Sequence, residues 1–178
     1  DVRIAPHLHL SLQAGSDMIL KRMKRRHLRD DAIALCQRLK AARPDIALGA
    51  DLIAGFPTET EAMFDDKLDL VDACDLAYLH VFPFSPRPGT PAARMPQHDR
   101  SLVKARAARL REKAGEVLDR HLEGMAGTIQ NGLVEKPGFA RAPNFAGIRT
   151  GDIAARAGAI LPLRITGRTG SDLLGEPA

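Results

Sequence analysis

Residues 49–60 read Gly49-Ala-Asp-Leu-Ile-Ala-Gly-Phe-Pro-Thr-Glu-Thr60, an apolar segment that stops at a glycine and continues as a helix start. The apolar residues over 46–53 predict a strand buried on both faces, as in a parallel sheet covered by helices. Thr58 and Glu61 have the spacing of a capping box, which predicts a helix beginning at about residue 59. Gly55 lets the backbone approach a ligand closely. In barrels of alternating strands and helices, cofactors and substrates bind at this end of the strands.

The same strand–helix pattern occurs on both sides of this segment. It predicts strands over 7–12 and 77–82, a helix that Ser16 caps, and helices with apolar stripes over 32–42 and 64–74. Strand, helix, strand, helix, strand is half of an α/β barrel. Because half a barrel has open edges and the chain begins at Asp1 without Met, we expect the C-terminal part of a longer protein.

Composition indicates a soluble, cytoplasmic protein with no membrane span or signal peptide, because the longest apolar run is far shorter than the ~20 residues of a spanning helix. The two cysteines, Cys36 and Cys74, fall on predicted helix stripes and are interpreted as packing residues. His7, His9 and His80 lie on or beside predicted strands, where a packed or barrel-lumen histidine is commoner than a metal ligand. We therefore predict no metal ligands in this chain.

Residues 82–91 form a proline-rich loop after the third strand, with Arg87 as its only charge. Proline fixes φ, so such a loop keeps its shape at low entropic cost on binding. Although proline-rich segments often serve as linkers, the position at the end of a barrel strand favours a substrate loop.

The pattern changes after a long predicted helix over 99–122. Short segments over 128–135, 145–149 and 160–166, broken by Gly, Pro and Asn, predict a small antiparallel β-barrel. The predicted domains are therefore a half-barrel over 1–97, a connecting helix over 98–125 and a small barrel over 126–178.

Charge indicates a polyanionic partner, since the net charge is +4 and the pI is near 9.4. Six cations lie within the nine residues 21–29, more than the C-terminus of a helix requires. The absence of Trp and an aromatic content of 4% favour phosphate contacts over base stacking. The candidate contacts are Lys21, Arg22, Lys24, Arg25, Arg26, Arg87, Lys136, Arg141 and Arg164.

Four segments carry recognisable motifs in a fixed order: His7-Leu-His-Leu-Ser-Leu-Gln-Ala-Gly-Ser16, Lys21-Arg-Met-Lys-Arg-Arg26, Asp51-Leu-Ile-Ala-Gly-Phe-Pro-Thr-Glu-Thr60 and Phe84-Ser-Pro-Arg-Pro-Gly-Thr-Pro-Ala92. Together they resemble the second half of the radical S-adenosylmethionine methylthiotransferases. Within that family, Leu79-His-Val-Phe-Pro-Phe84 and the basic block are most similar to the branch acting on threonylcarbamoyladenosine in tRNA. Residues 126–178 resemble a TRAM domain, an RNA-binding module.

The resemblance implies radical methylthiolation at C2 of N6-threonylcarbamoyladenosine 37 of tRNA. It also implies S-adenosylmethionine, two 4Fe–4S clusters in the full-length protein and an electron donor for the cluster. By motif, the cofactor-binding residues are Gln13, Gly15, Ser16, Asp51, Ile53 and Gly55. The alternatives are a ribosomal-protein or isopentenyladenosine tRNA methylthiotransferase, a non-radical lyase on the same barrel, and a non-catalytic RNA-binding module.

The sequence departs from the family pattern at the cluster. The CxxxCxxC loop that binds the radical-generating cluster is absent from residues 1–178, and Cys36 and Cys74 cannot replace three thiolates. We therefore predict no catalytic residue in this chain and expect the chain alone to be inactive.

Overall fold

The computed structural model describes residues 3–178, and its elements alternate between strand and helix before a run of strands. In chain order they are β1 (His7–Gln13), α1 (Asp17–Arg22), α2 (Arg29–Ala42), β2 (Ala47–Ala54), α3 (Glu61–Ala73), β3 (Leu76–Pro83), a 3₁₀ turn (Ala92–Arg94), α4 (Arg100–Glu123), β4 (Ile129–Lys136), β5 (Phe139–Arg141), β6 (Gly147–Arg149), β7 (Ile160–Thr169) and β8 (Asp172–Pro177).

Strands β1, β2 and β3 form a sheet in that order, with β2 at the centre. The β2–β3 pair is parallel, and its register places Asp51 beside His80 and Ile53 beside Phe82. Most of β2 is buried on both faces, which confirms the prediction from its continuous apolar sequence. The α/β class predicted from the strand–helix alternation is therefore confirmed.

Helix α3 begins later than the sequence pattern predicts. Its N-cap is Thr60, whose hydroxyl accepts a hydrogen bond from Met63 N at 3.3 Å. The predicted capping box of Thr58 and Glu61 is wrong, because Thr58 has φ +69° and its hydroxyl accepts from Arg22 Nη1 at 2.6 Å. Thr58 thus belongs to the turn between β2 and α3 rather than to the helix.

Helix α1 is short, and the turn that follows it contains the basic residues Lys24, Arg25 and Arg26. Ser16 is its N-cap, as predicted, although its side chain makes no capping bond. After Arg22 the chain turns through Lys24, at φ +57°, and Arg25 N donates to Leu20 O at 2.9 Å. Most of the basic block therefore lies in the turn that follows the helix.

Strands β4 to β8 close into a barrel in the order β4-β5-β6-β8-β7, as predicted for the C-terminal region. Four of its five strand pairs are antiparallel, whereas β6 and β8 run parallel. Buried Val134, Ala140, Ile148, Leu163 and Leu173 fill its core. The strands β5 and β8 lie outside the three predicted strand segments, because each is short and has little apolar alternation.

Contacts divide the chain into two units. One comprises Leu8–Pro44 and Leu48–Val117, and the other comprises residues 3–7, Asp45–Ala47 and Leu118–Ala178. The predicted domain boundaries at 97 and 125 stay a prediction. Among the helices of residues 3–178, none combines the length and the apolar character that crossing a membrane requires.

Candidate functional site

A cleft of about 590 Å³ lies at the carboxyl ends of the sheet strands. Its wall includes Gln13 at the end of β1, Asp51 and Ile53 on β2, and Arg87 in the proline-rich loop. The remaining lining residues are Phe82, Pro83, Phe84, Ser85, Thr90 and Ala92. Small-molecule sites typically occupy about 300–1,000 Å³ and combine apolar walls with a few polar groups, so this cleft has the size and lining of a ligand site.

A second cleft of about 430 Å³ shares Gln13, Ile53 and the segment 90–92 with the first. Arg22, Lys24 and Arg25 also line it. The fold thus brings part of the predicted cofactor set next to part of the predicted basic set. Within the predicted basic set of this turn, the Arg22 guanidinium donates a hydrogen bond to the Thr58 hydroxyl. The side chains of Lys21, Lys24, Arg25 and Arg26 are exposed.

Of the three predicted cofactor-binding residues in the turn after β1, Gln13 lines the two clefts, whereas Gly15 and Ser16 do not. Gln13 has φ +71° and lines both clefts. Gly15 is buried, and a Cβ there would lie 2.3 Å from Lys67 Cα, so packing against α3 requires a glycine at this position. Among residues 3–178, the linings of the two clefts include neither Gly15 nor Ser16. The predicted cofactor contacts of these two residues stay predictions.

Gly55 lines a third cleft of about 610 Å³, together with Val103 and Lys104, and this cleft shares Pro83, Phe84 and Ser85 with the first. Its φ is +73°, and a Cβ would lie 2.8 Å from Val103 Cγ2 and 3.1 Å from Val103 Cα. The space beside Gly55 is therefore filled by α4. Packing against α4 thus requires a glycine at this position, and the predicted cofactor contact of Gly55 stays a prediction.

A buried ionic cluster of Glu59, Lys67 and Arg106 is hydrogen-bonded to the backbone of the Gly55 turn. Glu59 is fully buried, and its Oε2 accepts from Gly55 N at 3.0 Å and from Arg106 Nη1 at 3.3 Å, while Oε1 pairs with Lys67 Nζ. Lys67 Nζ also donates to Ile53 O at 2.6 Å. Burial lowers the pKa of Lys67, and the carboxylate of Glu59 opposes that shift.

Sequence reasoning missed this cluster, although one signal was present. Lys67 interrupts the helical stripe that begins at Phe64, and charged residues are rarely fully buried unless they are paired. The predicted stripe residue Leu68 is half-buried, whereas Lys67 and Leu70 are buried. The other predicted stripe residues, Phe64, Val71 and Cys74, are buried, so the predicted face of α3 is confirmed and Lys67 and Leu70 widen it.

Asp51 is the centre of a second polar group that the sequence did not predict. Its Oδ1 lies 2.8 Å from His9 Nε2 and 3.1 Å from His80 Nδ1. The hydrogen bond with His9 is the main cause that lowers the pKa of the Asp51 carboxyl, and His80 contributes further. Sequence reasoning treated the two histidines separately, because β-sheet register is what brings them together.

The predicted basic contacts of the barrel have unequal freedom to bind an anion. Arg141 makes a two-pronged ion pair with Glu135, at 2.6 Å and 3.0 Å, and also donates to Phe145 O. Lys136 is exposed, with its Nζ 5.5 Å from the centre of the Phe139 ring. Arg164 is also exposed, on β7. Lys136 and Arg164 are therefore better placed for phosphate than Arg141.

Neither cysteine is suited to hold an iron–sulfur cluster. Cys36 and Cys74 are both buried, as the packing interpretation predicts. The contact with Cys36 and burial both raise the pKa of the Cys74 thiol. Cluster ligation requires several accessible thiolates, so the residues of this chain do not fit such a cluster.

Residues 3–71 match the Radical SAM superfamily. The chain is 50% identical over 143 residues to the threonylcarbamoyladenosine tRNA methylthiotransferase MtaB of Rickettsia prowazekii. The aligned residues cover 80% of this chain and 34% of that protein. It is 40% identical over 186 residues to the tRNA-2-methylthio-N(6)-dimethylallyladenosine synthase of Ruegeria pomeroyi, covering 99% of this chain and 42% of that protein.

The protein of the same name from Maricaulis maris is 39% identical over 181 residues, covering 98% of this chain and 40% of that protein. The chain thus spans about one third to two fifths of the length of these relatives. The family resemblance drawn from the four sequence segments is confirmed by these matches. The chain belongs to the radical S-adenosylmethionine methylthiotransferase family.

Proposed function

We propose that this chain forms part of a radical S-adenosylmethionine enzyme that adds a methylthio group at C2 of N6-threonylcarbamoyladenosine 37 in tRNA. The observation that carries the proposal is the 50% identity to a protein named for that activity, against 40% and 39% for relatives named for dimethylallyladenosine. The adjoining clefts at the carboxyl ends of the strands are consistent with it, because one has the size of a ligand site and the other carries cations.

S-adenosylmethionine is the cofactor in this proposal, and the cleft of Gln13, Asp51 and Ile53 would hold it. The apolar walls from Ile53 and Phe82 suit an adenine ring, and Gln13 offers an amide to a polar group. When bound, this cofactor supplies the radical chemistry of the family. The contribution of this chain is to bind and orient it, and the cluster thiolates and electron donor would come from elsewhere.

Transfer RNA is the substrate partner in the proposal. The exposed cations Lys24 and Arg25 line the second cleft, with Lys21 at the end of α1 and Arg26 next in the turn, so these four would bind phosphates near the modified nucleoside. Arg87, at the wall of the first cleft, would contact the same substrate. The barrel within the predicted domain 126–178 would add Lys136 and Arg164 as further phosphate contacts.

A dimethylallyladenosine substrate is the second candidate. The relatives with that name align with 98–99% of this chain, whereas the threonylcarbamoyladenosine relative aligns with 80%. A non-catalytic RNA-binding module is the remaining alternative, since the chain has no cluster ligands of its own.

Deleting the gene that encodes this chain and analysing total tRNA nucleosides by mass spectrometry tests the proposal. We expect loss of 2-methylthio-N6-threonylcarbamoyladenosine with accumulation of the unmethylthiolated nucleoside, and unchanged 2-methylthio-dimethylallyladenosine. Loss of the latter nucleoside alone would favour the second candidate. An unchanged nucleoside profile would favour the non-catalytic module.

A further inference from the structure

We propose that His9, Asp51 and His80 form a binding site for a divalent first-row transition metal, separate from any iron–sulfur cluster. Each residue comes from a different strand of the sheet, β1, β2 and β3 in turn. The parallel register pairs Asp51 with His80 directly, and His9 approaches from the neighbouring strand. This inference does not depend on the proposed tRNA activity.

The donor atoms converge on one point. Asp51 Oδ1 lies 2.8 Å from His9 Nε2 and 3.1 Å from His80 Nδ1, and the three ligand atoms all lie within 4.8 Å of one another. Bonds from zinc to imidazole nitrogen or carboxylate oxygen are about 2.0–2.2 Å long, so ligand atoms on one ion are about 3–4 Å apart. Small rotations of these side chains would therefore admit an ion between them.

The backbone reserves space for this arrangement at Gly49. A Cβ at Gly49 would lie only 2.8 Å from His9 Nδ1 and 3.0 Å from Tyr78 O. A larger residue at position 49 would therefore push the His9 ring away from Asp51. The His9 and His80 rings also face each other, with centroids 4.7 Å apart and an interplanar angle of 35°. The position of the His9 imidazole is thus set by packing against Gly49 as well as by Asp51.

The ligand types select the class of metal. Two imidazoles and one carboxylate suit Zn²⁺, Fe²⁺, Co²⁺ or Ni²⁺, whereas Mg²⁺ and Ca²⁺ prefer sites made of oxygen ligands. The side chains of His9, Asp51 and His80 are 32%, 30% and 64% exposed, so an ion there would keep positions for water or a ligand. Asp51 also lines the 590 Å³ cleft, so those positions lie beside it.

Cobalt is a suitable probe because Co²⁺ replaces Zn²⁺ or Fe²⁺ and reports its ligands by visible absorption. The untagged 178-residue chain, freed of metal with a chelator, is titrated with CoCl₂ and followed by calorimetry and absorption, with Zn²⁺ as competitor. Asp51→Asn keeps the size of the side chain and removes its charge, and His80→Ala alters an exposed position. His27→Ala, which removes an imidazole elsewhere on the same unit, is the matched control.

We expect one Co²⁺ per chain, displaced by Zn²⁺, in the wild type and in His27→Ala. Asp51→Asn and His80→Ala should weaken binding by at least about 100-fold, since loss of even an outer-shell partner costs about 10–100-fold. Paramagnetic broadening of the His9 and His80 ring signals in the wild type gives a readout that needs no variant. Absence of a stoichiometric site, or equal binding by Asp51→Asn and wild type, would overturn the proposal and leave a hydrogen-bonded group only.

Discussion

At the scale of single residues, glycines have two different roles in this chain. Gly55 combines a left-handed backbone, at φ +73°, with a side-chain direction filled by Val103. Gly89, in the proline-rich loop, has φ +84° with open space around it. The first glycine is required by both conformation and packing, whereas the second is required by conformation alone.

This difference predicts unequal costs for the same substitution. Gly55→Ala should lower the free energy of unfolding by about 2–4 kcal/mol, combining the cost of a left-handed residue with that of overpacking. Gly89→Ala should cost only the conformational part, about 1–2 kcal/mol. Urea unfolding of both variants measures the difference, and equal losses would show that the contact with Val103 carries no strain.

At the scale of elements, ion pairs between α3 and α4 reinforce one unit of the chain. Arg106 and Arg109 of α4 both contact Glu61 of α3, and Arg109 also contacts Asp65 at 3.3 Å. The centre of the Phe64 ring lies near both cations, 5.5 Å from Arg106 Cζ and 4.7 Å from Arg109 Cζ. The hydrogen bond from Arg109, with a further one from Arg106, lowers the pKa of the Glu61 carboxyl.

The lowered pKa of Glu61 predicts a dependence of stability on acid. Because the pKa is lower in the folded state than its ordinary value of 4.5, the stabilisation is complete above that pH and disappears as the pH falls through the folded-state value. Its size should stay below about 1 kcal/mol, because Glu61 is half exposed and the pair is screened by solvent.

Unfolding of wild type and Glu61→Gln between neutral and acidic pH measures this contribution. We expect the wild type to be more stable at neutral pH and the two curves to converge in acid. Glu112→Gln, the same change at an exposed position on α4, is the control and should show no such convergence. A constant difference across the pH range would contradict the assignment of the pair.

The turn after α1 predicts an effect on RNA binding. Changing Arg25 and Arg26 to Ala should weaken tRNA binding and lower the slope of log K against log salt by about 0.7–0.9 for each phosphate that the variant no longer neutralises. Arg38→Ala with Lys40→Ala removes the same charge from α2 and should leave the slope near that of the wild type. Equal slopes for the two double variants would place the basic turn outside the RNA path.

At the scale of the whole molecule, the chain joins a three-stranded sheet to a closed barrel but has only two cysteines. Both cysteines are buried. After anaerobic reconstitution with iron and sulfide, the chain should therefore show no stoichiometric 4Fe–4S absorbance and no methylthiolation, yet should retain tRNA binding. A stable cluster at one per chain would contradict this expectation, and absent tRNA binding would place recognition in other residues.

Much of the fold could be predicted because local patterns carry it. The continuous apolar segment of β2 predicts a strand buried on both faces, and the predicted bounds of α4 agree with the structure to within one residue at each end. The short barrel strands β5 and β8 could not be predicted, since three to six residues with little alternation carry no periodic signal. The predicted start of α3 is wrong because two threonines in one turn both offer a capping hydroxyl.

The sequence by itself determined the α/β half-barrel, the closed barrel after α4, and the family, because periodicity and motif spacing are properties of the chain. The tertiary structure alone decided which residues meet. Register across β1, β2 and β3 brings His9 and His80 to Asp51, and packing of α3 and α4 buries Lys67 and Arg106 around Glu59. The physical reason is that exposure patterns are local, whereas pairing of charges depends on strand register and helix rotation, which long-range packing sets.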